Sequence, residues 1–135
     1  MTKEELKRYR GMELEMKMIE RKMAALRRRA ESPGGAAFSH APGRGGERHG
    51  FADCVAELVE LQELYDERAH AMTADMLRIV GAIGRVSDPV ERVLLELRYV
   101  DGLSWLEIMR QIGYEESQTH RIHGRALAHI REVEV

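Results

Sequence analysis

Apolar side chains recur at alternating spacings of three and four through the first thirty residues. The stripe consists of Tyr9, Met12, Met16, Ile19, Met23 and Leu26. This spacing places side chains on one face of an α-helix, and a stripe this narrow is typical of coiled-coil packing. Three cations at 27–29 follow the stripe and suit a helix C-terminus. The sequence therefore predicts a long first helix.

A second stripe with the same rhythm begins at Phe51. Its members are Phe51, Val55, Leu58, Tyr65, Ala69, Met72, Met76 and Ile79. It predicts a second long helix that ends near residue 80. The stretch between the stripes, at about 31–50, is rich in glycine and lacks a periodic apolar pattern. We interpret that stretch as a flexible loop.

The C-terminal third contains the signals of three short helices. Asp88 and Pro89 fit the cap and first position of one helix, and Glu91 lies three residues after that cap. The buried side expected for this helix consists of Val90, Val93, Leu94, Leu97, Tyr99 and Val100. Ser104 with Glu107 has the capping-box form for the next helix. Gly113 separates that helix from a last one, which starts at Glu115 or Ser117 and runs through Ile130. We expect apolar residues on both sides of this turn to face each other, namely Leu106, Ile108 and Met109 against Thr119, Ile122, Ala126 and Leu127.

No segment has a convincing strand pattern, so the sequence predicts an all-α protein. We expect a coiled-coil-like helical hairpin at 1–86 and a three-helix helix-turn-helix domain at 87–135. Residues 1–30 carry ten basic and five acidic side chains, whereas residues 51–88 carry three basic and eight acidic ones. The two long helices are therefore plausible antiparallel partners within one chain, or seams for a second chain. The sequence leaves both arrangements open.

Composition excludes several classes of protein. No apolar run approaches the roughly 18 residues of a membrane span, and the N-terminus lacks a signal-peptide core, so we expect a cytoplasmic protein without membrane partners. The single cysteine, Cys54, excludes an intrachain disulfide and is expected to be a small buried residue. No catalytic triad, carboxylate pair or metal-binding box is visible. We expect no enzyme activity, cofactor or metal, although His120 and His123 share a helix face.

A resemblance to a known family rests on the C-terminal residues. The runs that carry it are Val93–Ile108 (VLLELRYVDGLSWLEI), Ile112–Tyr114 (IGY) and Arg121–Leu127 (RIHGRAL). Together they resemble the helix-turn-helix of sigma-factor region 4. They are most similar to the versions in small phage and prophage regulators of the ArpU/RinA type, which also begin with two long helices. The resemblance implies a transcription regulator that binds double-stranded DNA, with RNA polymerase as a second candidate partner. The coiled-coil-like helices favour a homodimer.

The same resemblance implies which side chains meet DNA. The candidates for reading bases lie at the start of the last helix: Ser117, Gln118, His120 and Arg121. Glutamine pairs with adenine and arginine with guanine in the major groove. Arg110 and Arg125 are the candidates for phosphate contacts, which position a protein without reading sequence. We expect Trp105 and Tyr114 to be core residues.

Three positions depart from the family pattern. Met109 stands where a small residue is usual, Thr119 replaces an apolar residue, and Glu115 replaces a serine cap. Glu115 and Glu116 also bring negative charge to the end of the helix that would approach phosphates. A different class of function is therefore kept as an alternative. In it, the helical module binds a protein or serves DNA packaging, as a small terminase subunit does.

Overall fold

The computed structural model describes residues 1–31 and 50–133, where all regular secondary structure is helical. The helices are α1 (Lys3–Glu31), α2 (Phe51–Ile83), α3 (Pro89–Leu95) with a π-helical turn (Glu96–Val100), α4 (Trp105–Ile112) and α5 (Glu116–Arg131). The prediction of an all-α protein is thus confirmed. Apart from its two end residues, the loop predicted at about 31–50 lies outside the described residues.

The stripe predicted for α1 is confirmed, because its side chains from Tyr9 to Leu26 are buried or half-buried. The stripe predicted for α2 is wrong at its beginning. Phe51 and Val55 are exposed, whereas Cys54 is buried as expected. The buried face passes through Cys54, and its neighbour Val55 lies about 100° further round the helix.

One compact unit, Leu14–His70, is a helical hairpin. The Arg68 Nε atom lies 3.0 Å from Glu15 Oε1, and the Tyr65 hydroxyl donates a hydrogen bond of 2.9 Å to Glu20. From the first contact to the second, the residue number rises on α1 and falls on α2. The two helices therefore pair antiparallel within one chain. Both polar contacts are exposed and stabilise little, so the buried apolar stripe is the main source of stability.

The other compact unit comprises Met1–Glu13 and Ala71–Val135. Its main core brings Leu6 of α1 and Ile79 of α2 together with Leu95 of α3 and Ile130 of α5. This core therefore joins residues on both sides of the boundary predicted at 86–87. Buried Asp75 adds a polar contact, because its carboxylate accepts hydrogen bonds from the guanidinium groups of two arginines, Arg8 (3.2 Å) and Arg78 (3.3 Å).

The caps predicted at Asp88 and Ser104 are present. The Asp88 carboxylate accepts a bond from the Val90 amide, and Ser104 and Glu107 form both bonds of a capping box at 3.2 Å. Gly113 ends α4 with a φ of 76°, a left-handed conformation that glycine adopts without steric cost. A second core of Leu94, Ile108 and Ile122 then holds α3, α4 and α5 together.

Four expected core positions were wrong or only partly right. Leu106, Val93 and Tyr114 are exposed, and Trp105 is half-buried. Leu106 lies two residues from buried Ile108 and therefore points about 160° away from it. On α3 the inward direction falls between positions 94 and 95, so position 93 faces outward. Tyr114 follows the Gly113 turn, where the apolar face of α4 has ended.

None of the helices in the described ranges is both long and apolar enough to cross a bilayer.

Candidate nucleic-acid interface

The last helix presents its leading turns to solvent. It begins at Glu116, and the cap residue Glu115 makes no side-chain capping bond. Ser117 therefore lies in the first turn of the helix rather than at its cap. All four predicted base-reading residues are exposed, namely Ser117, Gln118, His120 and Arg121.

These four side chains surround the outward face of α5. Ser117 and Arg121 lie one turn apart on that face, while Gln118 and His120 flank it on opposite sides. The opposite face is buried, through Thr119, Ile122 and Ala126. The inward orientation predicted for these three residues is thus confirmed. Because the buried face anchors the helix, the outward face can be held rigidly against a ligand.

The two predicted phosphate-binding residues lie in different surroundings. Arg110 is exposed near the end of α4. Arg125 is 59% exposed, but its Nε atom lies 3.8 Å from Oε1 of Glu91. An arginine already facing a carboxylate has less free positive charge for a phosphate, so Arg110 is the less encumbered of the two.

Glu91 is a buried charge whose role the sequence did not reveal. Its position in the first turn of α3 pointed to helix capping, yet the carboxylate faces α5, and the side chain is 2% exposed. It accepts a hydrogen bond of 2.7 Å from Nδ1 of His129. This bond and the charge of Glu91 raise the pKa of His129 above its usual value. The pair fastens α3 to α5 on the flank that carries Arg125.

The other flank of α5 contains an aromatic cluster that the sequence also missed. The Trp105 ring lies 4.9 Å from the His120 ring and 4.7 Å from the His123 ring. The Arg98 guanidinium stacks over the same indole at 4.4 Å, and the Tyr99 hydroxyl lies 2.7 Å from Nε2 of His123. The cluster therefore connects a candidate base-reading residue to the π-helical turn.

Burial and positive charge control the protonation of this cluster. Burial, followed by the charges of Lys3, Arg98 and His120, lowers the pKa of His123 to about 4. Burial also raises the pKa of the Tyr99 hydroxyl. Near neutral pH His123 is therefore an uncharged ring. The three-residue spacing of His120 and His123 was the available sequence signal, but nothing local predicted their aromatic neighbours.

Within residues 1–31 and 50–133, no group of three or more His, Cys, Asp or Glu side chains is arranged to hold a metal ion.

Comparisons with protein-family models, curated proteins and solved structures found no match to this chain.

Proposed function

We propose that this protein is a sequence-specific DNA-binding transcription regulator of the phage type, which acts in the cytoplasm of the host cell. The observation that supports this function is the exposed leading face of α5, where Gln118 and Arg121 project from a helix anchored on α4. In a helix-turn-helix, the N-terminal residues of the second helix contact base edges in the major groove. Glutamine and arginine supply the bidentate hydrogen bonds that distinguish adenine and guanine.

Selection from a randomised duplex pool, followed by binding measurements with the full-length protein, tests this function. We expect a specific complex whose affinity falls as salt rises, because phosphate contacts release counterions. Arg121→Ala should cost about 1–3 kcal/mol at one base position and relax the preference there. Arg125→Ala should weaken binding to all duplexes alike. The effect should be smaller than for an arginine without a carboxylate neighbour, because Arg125 faces Glu91.

Arg21→Ala is the matched control, because Arg21 is an exposed cation on α1 in the hairpin unit. It should leave base preference unchanged. No complex at micromolar protein and low salt would contradict the proposed function. A complex whose base preference survives Arg121→Ala would contradict the role of that residue.

A homodimer suits this function, since two half-site contacts one helical turn apart combine their affinities. The exposed side chains of Leu14 and Met18 support a homodimer, because they lie one turn apart on α1 and offer an apolar surface to a second copy of the chain. Light scattering of the purified protein should give twice the chain mass. A monomer at the concentrations used for DNA binding would contradict this proposal.

A protein-docking function is the second candidate, and the exposed carboxylates of Glu115 and Glu116 favour it. Negative charge at this end of α5 opposes phosphates and suits a basic protein surface. RNA polymerase is the partner to test, by pull-down in the absence of DNA. Capture that is lost in Glu115→Lys/Glu116→Lys, together with no duplex binding, would favour docking over DNA recognition. A larger ring-like oligomer would instead favour a DNA-packaging role.

A further inference from the structure

A cleft of about 340 Å³ lies beside the aromatic flank of α5 and is lined by four cations. Lys3, Lys7 and Arg10 come from α1, and Arg98 comes from the π-helical turn. The spacing of the first three places them on one face of α1. Small-molecule pockets are mostly apolar, so a lining of this kind favours an anionic ligand.

The positive charge of this basic cleft is only partly neutralised. Among the described residues, no carboxylate belongs to its lining, and neither Lys3 nor Lys7 forms an ion pair. Arg10 pairs with Glu13, and the Arg98 guanidinium donates to the Leu103 carbonyl at 3.1 Å while it stacks on Trp105. The two arginines are therefore held in place, and the two lysines remain available to a ligand.

The backbone at Gly102 is shaped to receive Arg10. Gly102 has a φ of +71°, and a Cβ atom there would overlap the Arg10 guanidinium. The absent side chain thus leaves space for a cation against the main chain. Together with the Arg10–Glu13 pair, this contact orients Arg10 before any ligand arrives, which lowers the entropic cost of binding.

The basic cleft is adjacent to the candidate DNA-reading face. Trp105 belongs to its lining, and the same indole contacts His120 on the flank of that face. Trp105 is also the first residue of α4, and in a helix-turn-helix the first helix crosses the phosphate backbone while the second enters the groove. A duplex bound by α5 would consequently bring a phosphate towards the cleft.

We propose that the basic cleft binds a backbone phosphate of the duplex read by α5, with Lys3 and Lys7 as its main contacts. This inference rests on the proposed DNA-binding function. It assigns phosphate binding to the N-terminal helix, outside the helix-turn-helix and in addition to Arg110. A phosphate held by α1 fixes the position of the duplex without contributing base preference.

The test compares Lys3→Gln/Lys7→Gln with the native protein, using the selected duplex and an unrelated one across a salt series. Each phosphate contact contributes about 0.9 to the slope of log affinity against log salt. Because one phosphate is lost, we expect the slope to fall by about 1 and affinity near 50 mM salt to fall several-fold for both duplexes. Lys17→Gln/Lys22→Gln removes the same charge from exposed positions on α1 in the hairpin unit and serves as the matched control.

Three outcomes would overturn the inference. In the first, the native protein binds DNA, and both double variants keep its affinity and its salt slope. The basic cleft then does not hold a phosphate of the duplex, although the proposed function stands. If the native protein binds no duplex, both proposals fail. Trp105, the only tryptophan, reports on free anions. Saturable quenching by inorganic phosphate, with DNA affinity unchanged in the variant, would assign the cleft to a free phosphate instead. Circular dichroism checks that each variant is folded.

Discussion

Glu91 and His129 are in contact, but we expect replacement of one to change the stability of the protein more than replacement of the other. The Glu91 side chain is 2% exposed, whereas His129 is 53% exposed. Truncation of His129 removes the hydrogen bond of a carboxylate that is buried in the native protein, and a buried charge that loses a partner is costly. Truncation of Glu91 leaves an imidazole that water hydrates. His129→Ala should therefore destabilise the protein more than replacement of Glu91 by an apolar residue.

The structure sets the size of this difference. After His129→Ala, Glu91 still faces Arg125, whose Nε atom lies 3.8 Å away and whose side chain is 59% exposed. The cost falls on the buried Glu91 acceptor, which loses one hydrogen bond, so we expect a loss of about 1–3 kcal/mol. It should be smaller than for breaking a fully buried pair, because water can partly replace the half-exposed His129. Glu91→Leu should change stability by less than about 1 kcal/mol, because a leucine of similar volume packs where the charge was. His129→Ala should then add little in the double variant.

Unfolding in urea near pH 6, where His129 is protonated, measures these changes. The fluorescence of Trp105 follows the unit that contains the pair, because the chain has no second tryptophan. Arg131→Ala controls for the loss of positive charge near the C-terminus of α5 and should cost no more than about 1 kcal/mol. Equal losses in His129→Ala and Glu91→Leu, or a larger loss in the latter, would refute this reasoning.

Two further predictions concern stability, one for His123 in the aromatic cluster and one for the two glycines with positive φ, Gly102 and Gly113. The pKa of His123 is about 4 in the folded protein and near 6.5 when unfolded, so its contribution is complete above pH 6.5 and is lost as pH falls towards 4. This difference corresponds to about 3 kcal/mol, which screening at a half-exposed ring reduces to about 1–2 kcal/mol. Urea unfolding between about pH 7.5 and pH 5 should show roughly half of this loss, because the window extends to about pH 4, and an equal loss in His123→Gln would contradict it. Gly102→Ala should cost about 1–2 kcal/mol through the strain of positive φ, and the Arg10 guanidinium, the far end of a flexible side chain, should move aside at little further cost. Gly113→Ala has the same backbone strain and no neighbour within 4 Å, so it should cost about the same, and a much larger thermal shift for Gly102→Ala would contradict this reasoning.

The sequence predicted the helices well because their signals are local. The stripe on α1, the caps at Asp88 and Ser104, and the turn at Gly113 each depend on residues within about two helical turns. The errors arose where the direction of burial depends on distant partners. Val93 fits an apolar helix face as well as Leu95 does, but only Leu95 meets the core that α1, α2 and α5 supply.

In the candidate site, too, the features set by neighbouring residues were predictable and those set by distant residues were not. The exposure of Gln118 and Arg121 was predictable, because a helix whose buried positions are Thr119 and Ile122 must turn its other residues outward. The basic cleft was not predictable, because its cations come from positions 3–10 and 98.

By itself, the sequence determined that this chain is helical, where two of its short helices are capped, and which face of its last helix is exposed. These properties follow from propensity, capping and periodicity, which act between near neighbours. Only the tertiary structure decided that Glu91 faces His129 and that the start of α1 lies against the π-helical turn. Such contacts join residues far apart in the chain, and the free energy that selects them comes from burial of the assembled core rather than from any one segment.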